Sequence, residues 1–213
     1  MHRKLISVWF ILFIVLISVH ADYSRWLTGQ VSLGTSAVIY GDKDFRTFNR
    51  ALLADDFKRF MFTVDASGGI VLDEHVRFSF GSMLNYDSFV QSRFNAVYLD
   101  YNFYTGIRIY PELKGFNFGI DYVVGRRSNV FKLPLSYTDP SLADEDSDLP
   151  AALNLSDIEA HTPWGNGFRF SAEYDFMYDS TGLAPMVGVS WRWMPRGTFY
   201  DNVFSVFFKM LFR

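Results

Sequence analysis

The sequence predicts an all-β chain closed into an eight-stranded antiparallel up-and-down transmembrane β-barrel. Three observations carry this: an apolar leader, eight segments with period-two alternation, and connections that alternate between long and short. Composition points the same way. Of 213 residues, 49% are hydrophobic and 19% aromatic, with 23 Phe, 12 Tyr and 5 Trp. A net charge of −3 is too small, and the apolar content too high, for a disordered chain. The balance of 20 Lys+Arg against 23 Asp+Glu gives no electrostatic footprint for phosphates, so no nucleic-acid partner is expected. The absence of Cys excludes disulfides and cysteine zinc sites.

Residues 1–21 read as a signal peptide. His2, Arg3 and Lys4 precede the apolar run Leu5–Val19, which is too short for a membrane-spanning helix of about 20 residues. Val19 and Ala21 then stand at the −3 and −1 positions of a cut before Asp22. Residues 22–213 form the expected barrel.

The strands follow in order. Trp26 to Tyr40 places Leu27, Val31, Leu33, Ala37 and Ile39 on one face and Gln30, Ser32, Gly34 and Ser36 on the other. Lys58 to Val71 sets Phe60, Phe62 and Val64 against Met61, Thr63, Asp65 and Ser67. His75 to Tyr86 sets Val76, Phe78, Phe80 and Leu84 against Arg77, Ser79, Gly81 and Met83. In Phe94 to Tyr110, Val97, Leu99, Phe103 and Ile107 oppose Tyr98, Asp100, Asn102, Tyr104 and Arg108. Phe116 to Arg126 opposes Phe118, Ile120 and Tyr122 to Asn117, Gly119 and Asp121. Gly167 to Tyr178 opposes Phe168, Phe170 and Tyr174 to Arg169, Ser171, Glu173, Asp175 and Met177. Ala184 to Met194 opposes Val187, Val189, Trp191 and Trp193 to Gly188, Ser190 and Arg192. Asn202 to Phe212 opposes Phe204, Val206, Phe208 and Met210 to Ser205, Phe207 and Lys209.

A soluble sandwich also alternates apolar with polar residues. Here, however, the apolar face is dominated by Phe, Tyr and Trp instead of branched aliphatics. The other face carries Gly, Ser and isolated charges instead of the Lys/Glu mixture of a solvated surface. With a periplasmic N-terminus, the connections 41–57, 87–93, 127–166 and 195–201 fall outside the cell, and 72–74, 111–115 and 179–183 fall inside. The inner ones carry turn residues such as Asp73, Pro111, Gly115 and Gly182. Aromatic girdles are expected from Trp26, Tyr110, Phe116, Tyr178 and Phe212 at the inner boundary and from Tyr40, Tyr86, Phe168, Trp193 and Tyr200 at the outer one.

The leader, the hairpin from Gly106-Ile107-Arg108 through Pro111 to Phe116-Asn117-Phe118-Gly119, and the aromatic last strand together resemble the small eight-stranded outer-membrane barrels of Gram-negative and spirochaetal bacteria. That group includes the OmpA transmembrane domain, OmpX and OmpW. The resemblance covers the whole mature chain, in pattern more than in identities. It implies a bacterial outer-membrane location, lipid neighbours and delivery by the barrel-insertion machinery. Phe212, with Met210 two positions before it and Phe208, matches that machinery's C-terminal signal, from which Arg213 departs.

The predicted lumen holds Asp65, Asp100, Asp121, Glu173 and Asp175 against Arg77, Arg108, Arg169, Arg192 and Lys209. Charges removed from water need partners, so paired carboxylates and cations are expected to fill the narrow interior. The competing reading leaves some of them free, as an ion path or as an acid/base pair of Glu173 and Asp175. Lipid-modifying barrels of this size use a His with a Ser. His75 and His161 have no Ser at a convincing spacing, so an enzyme is not expected, and no cofactor or metal is implied. Asp144, Asp146 and Asp148 have calcium-loop spacing, but Leu149 and Leu155 stand where Gly and Glu are required. In the first outer loop, Phe45, Phe48 and Leu52 have helical spacing, as a lid or as plain packing over the mouth. Two functions follow. One is a non-enzymatic surface barrel whose outer loops, near 41–57 and 127–166, meet a host or surface ligand or support envelope integrity. The other is an OmpW-like narrow channel for small hydrophobic or weakly charged solutes, suggested by Met61, Met83, Tyr98, Tyr104 and Phe207 facing inward.

Overall fold

The structure is a computed structural model that describes residues 27–54, 56–92, 94–133, 162–178 and 182–212. The leader, Trp26, the acidic stretch around Asp144 to Asp148, His161 and Arg213 lie outside these residues. Among them, β1 (Leu27–Ile39) is followed by α1 (Lys43–Ala54), then β2 (Lys58–Asp73), β3 (Val76–Gln91), β4 (Phe94–Ile109), β5 (Phe116–Lys132), β6 (Gly165–Asp175), β7 (Leu183–Arg196) and β8 (Phe199–Phe212). Each strand pairs antiparallel with its neighbours, and β1 closes on β8 from Gly29↔Phe212 to Ile39↔Asn202. The result is a closed eight-stranded up-and-down barrel, as the alternation predicts.

Period two fixes the two faces. Outward residues such as Phe60, Phe80, Phe103, Val189 and Phe208 are exposed, while Asp65, Asp100, Asp121, Arg169 and Lys209 from alternate positions are buried. A soluble protein would show the reverse on a surface this apolar. The short β2–β3, β4–β5 and β6–β7 connections share one end, here called the turn end. At the β4–β5 turn Gly115 has φ +82°, a left-handed conformation that disfavours a side chain, and its carbonyl accepts the Asp175 N–H at 2.7 Å. The helix α1 marks the other end.

The wall is uneven. β2 to β5 have 16 or 17 residues each, against 11 in β6 and 13 in β1. β5 pairs with β6 only as far as Gly125↔Gly165, so the extra length of the β2–β5 side lies at the helix end. This corrects two boundaries. β5 runs to Lys132 and β6 starts at Gly165, so the connection expected at 127–166 is shorter at both ends. β3 runs to Gln91, well beyond Tyr86. In both places the inward face turns apolar, at Phe89 and Phe131, and the apolar-out pattern disappears where the helix packs. Conversely, β6 ends at Asp175, so Met177, expected in the lumen, lies exposed in the turn beside Tyr178.

Candidate functional site

The interior is built from strand parity. Two groups of ion pairs occupy it, stacked along the barrel axis. Toward the turn end, Asp121 is fully buried and accepts from Arg108 Nη1 at 2.7 Å, Arg108 Nη2 at 3.0 Å and Arg169 Nε at 2.7 Å. Arg169 also donates to Asp65 at 2.7 Å, and Tyr104 donates its hydroxyl to the same carboxylate at 2.7 Å. Lys209 donates to Glu173 at 2.5 Å, with Arg108 at 4.0 Å from that acid. Three acids thus meet three bases. Glycine makes the room: a Cβ on Gly106 would lie 2.4 Å from Asp121 Oδ1, and one on Gly119 would lie 2.3 Å from Arg108 Nη1.

Nearer the helix end, Asp100 pairs with Arg192 and, at 2.6 Å, with Arg196. Asp201 accepts from Arg127 at 2.7 Å and from Arg196 at 3.1 Å. Three bases here face two acids, and neutral partners take the excess. Arg127 lies over the rings of Tyr40 and Phe45 at 4.5 and 4.3 Å. The Asn85 amide, turned with its oxygen toward Arg192, accepts from both of its terminal nitrogens at 3.2 Å.

Two residues expected among these charges have other roles. Arg77 stacks on Tyr110 at 4.2 Å and donates to its hydroxyl, and Asp175 accepts the Met177 N–H at 2.8 Å. Five charges that sequence reading left in connections or without a role, Arg59, Asp87, Arg127, Arg196 and Asp201, take part instead. Extending the inward parity by one step from Asn85, Gly125, Met194 or Val203 is the signal that reaches four of them.

Above the charges sits a hydrophobic cap. Phe45, Phe48 and Leu52 on α1 are buried against Tyr40, Phe57, Phe89, Ala96 and Tyr98, with Phe131 alongside. Tyr98 donates to Asn49 at 2.6 Å, Tyr40 donates to Asp87 at 2.6 Å, and Arg59 clamps the same carboxylate at 2.9 and 2.7 Å. Tyr40 is therefore interior, not part of the outer girdle, because its even position shares the inward face of β1. Burial first, then the Asp87 charge, push its phenol well above the ordinary range. Tyr110 faces inward by the same parity. Of the other residues expected in girdles, Phe116, Tyr178, Phe168, Trp193 and Tyr200 are exposed, and Tyr86 and Phe212 are half-buried.

Between cap and turn end, a void of about 10 Å³ remains beside Asp65, Met83, Arg169 and Lys209, enough for about one water. The cap's stability rests on its buried rings. Phe48→Ala, at an edge-to-face contact 5.6 Å from Phe131, is expected to weaken α1 docking by about 3–5 kcal/mol. Trypsin should then cut faster after the exposed Arg46 and Arg50, while heat-modifiable gel migration persists.

No family model and no curated protein matches this sequence. Solved structures match in shape. Neisserial surface protein A aligns over 87% of this chain and 96% of its own, with 8% identity and a TM-score of 0.48. Ail, the attachment invasion locus protein of Yersinia pestis, solved in complex with the heparin analogue sucrose octasulfate, aligns over 88% and 100%, with 8% identity and a TM-score of 0.49. The N-terminal β-barrel domain of Pseudomonas aeruginosa OprF aligns over 86% and 96%, with 10% identity and a TM-score of 0.33. The closed eight-stranded architecture itself is read from this chain's own strand pairing. The likeness is one of fold alone.

Proposed function

We propose that the chain is a non-enzymatic outer-membrane surface barrel whose lumen is filled and whose outer connections carry its interactions. The observation that supports this is the pairing of Asp65, Asp100, Asp121, Glu173 and Asp201 with buried cations beneath a hydrophobic cap. A conducting path needs continuous water, and a proton-transfer centre needs an uncommitted base. Glu173, the acid best placed for such chemistry, is engaged by Lys209. The apolar exterior suits a bilayer, since a closed barrel leaves no strand edge in lipid. In this reading, residues 1–21 direct export, and Phe208, Met210 and Phe212 on β8 present the insertion signal. The connections at the helix end, including the stretch 134–161, then face the outside, where a host or surface ligand meets them.

Planar-bilayer recording of the refolded chain tests the lumen. The expected result is no steady conductance at physiological salt, and a defined, reproducible channel would favour the solute-conduit reading. Deleting residues 135–160 tests the loops. Insertion and heat-modifiable migration should persist while antibody recognition of intact cells falls, and loss of the fold itself would count against this assignment.

A further inference from the structure

The barrel exterior is not evenly ridged. Ladder partners set Phe118, Ala172, Val189, Val206 and Thr35 in one outward row across the five adjacent strands β5, β6, β7, β8 and β1. Except at its Phe118 end, this row is low. The next row toward the helix end holds Phe170, Trp191 and Phe204, and the next toward the turn end holds Phe116, Tyr174 and Phe208. The upper rings form a flat wall. Phe170 and Trp191 stack at 5.8 Å with 19° between planes, and Trp191 and Phe204 at 6.4 Å with 16°. A groove of about 780 Å³ lies beside them, lined by Thr35, Ala172, Val189 and Val206 of the low row, by the three rings, and by Phe118 at one end.

We propose that this groove holds one acyl chain of a membrane lipid, lying obliquely across the strands along their hydrogen-bonding direction. Its lining carries no charged residue. Of its polar side chains, Trp191 donates Nε1–H to Asn202 at 3.0 Å and Thr35 donates its hydroxyl to the Met61 carbonyl at 3.2 Å, and the lining serines Ser36, Ser171 and Ser205 are themselves buried. Four inter-strand steps make the groove about 19 Å long. Curvature selects the occupant: the groove bends around five of eight strands, whereas a second barrel or a folded partner touches a convex wall along one or two. A flexible chain can follow the bend. In a bilayer every apolar surface meets hydrocarbon, so preference comes from dispersion contact with matched shapes, which flat rings above a smooth floor provide. This inference rests on the membrane reading and adds to it a preferred place for one lipid.

Native mass spectrometry of the full mature chain tests it, after reconstitution in phosphatidylethanolamine/phosphatidylglycerol vesicles and extraction in mild detergent. The unsubstituted protein should retain one lipid. Ala172→Phe and Val206→Phe raise the floor to the height of the rims and should each retain about fivefold less. Ser82→Phe, on the exposed outer face of β3, should retain as much as the parent. Heat-modifiable migration establishes that each variant has closed. A second measurement uses phospholipid brominated in mid-chain, which should quench tryptophan emission more in the parent than in Val206→Phe. Absence of retained lipid in the parent, equal loss in Ser82→Phe, or equal quenching overturns the groove assignment. Failure to insert into vesicles at all would instead overturn the membrane reading beneath it.

Discussion

Asp121→Ala is expected to destabilise the folded barrel by about 3–5 kcal/mol, read as a shift in a urea refolding titration followed by heat-modifiable migration. The carboxylate is fully buried and bridges two guanidiniums from β4 and β6. Its removal leaves two cations facing each other with one acceptor fewer on each. Arg169 keeps Asp65, but the one carboxylate left to Arg108 is the more distant Glu173 at 4.0 Å, beside the Ile107 carbonyl at 3.4 Å. The penalty therefore concentrates on Arg108, and that predicts a rescue. Asp121→Leu combined with Arg108→Met replaces a buried pair by apolar groups of similar size, a change that is often neutral or stabilising. Glu173 remains neutralised by Lys209 in that variant. If the double variant is as unstable as Asp121→Ala, the loss comes from packing and the pairing account fails.

In the membrane reading, arginine placed at Phe62, Phe80 or Val189 is expected to cost roughly 2–4 kcal/mol each, because these exposed outward side chains would then meet hydrocarbon near mid-bilayer. The cost should fall with depth. Tyr200→Arg, at the helix end of β8, should cost about 0–1 kcal/mol, since an interfacial arginine reaches water. Ser79 and Ser190 point into the lumen, and the packing seen there changes what they can report. Ser79 is buried between Gly69 and Gly106 in a filled interior, so arginine there acts by crowding. The same refolding titration in vesicles checks the series. Equal costs at Phe62 and Tyr200 would mean that the bilayer does not bound this surface as described.

Strand parity was legible wherever aromatic residues faced outward, because period two then contrasts the largest side chains with Gly and Ser. It faded where α1 docks. There Phe89, Ala96, Tyr98 and Phe131 turn apolar groups inward, so the contrast between the faces is lost and β3 and β5 seem to stop early, although β4 was legible from Phe94. The spacing of Phe45, Phe48 and Leu52 already announced the helix responsible. Within the lumen, sequence reading reached the inward positions of Asp65, Asp100, Asp121, Arg108 and Arg169 but not who pairs with whom. Pairing depends on the stagger between strands far apart in sequence, as in Arg196 with Asp100, 96 residues away. Arg127, Arg196 and Asp201 were hidden by a simpler cause, since they sit one or two residues beyond Arg126, Met194 and Asn202, where the alternation seemed to end.

The ladder between β1 and β8 joins the two ends of the barrel chain, and so it is the last to become available during synthesis. Until it forms, the sheet is open, and its concave face carries Asp100, Arg108, Asp121, Arg169 and Lys209. Spread flat in hydrocarbon, each would cost several kcal/mol. In the membrane reading, the same charges that lock the finished interior therefore bar an unfinished sheet from the bilayer. Closure and insertion become one coupled event, and an assembly factor that holds the two edges together until they meet would relieve the chain of its costliest intermediate.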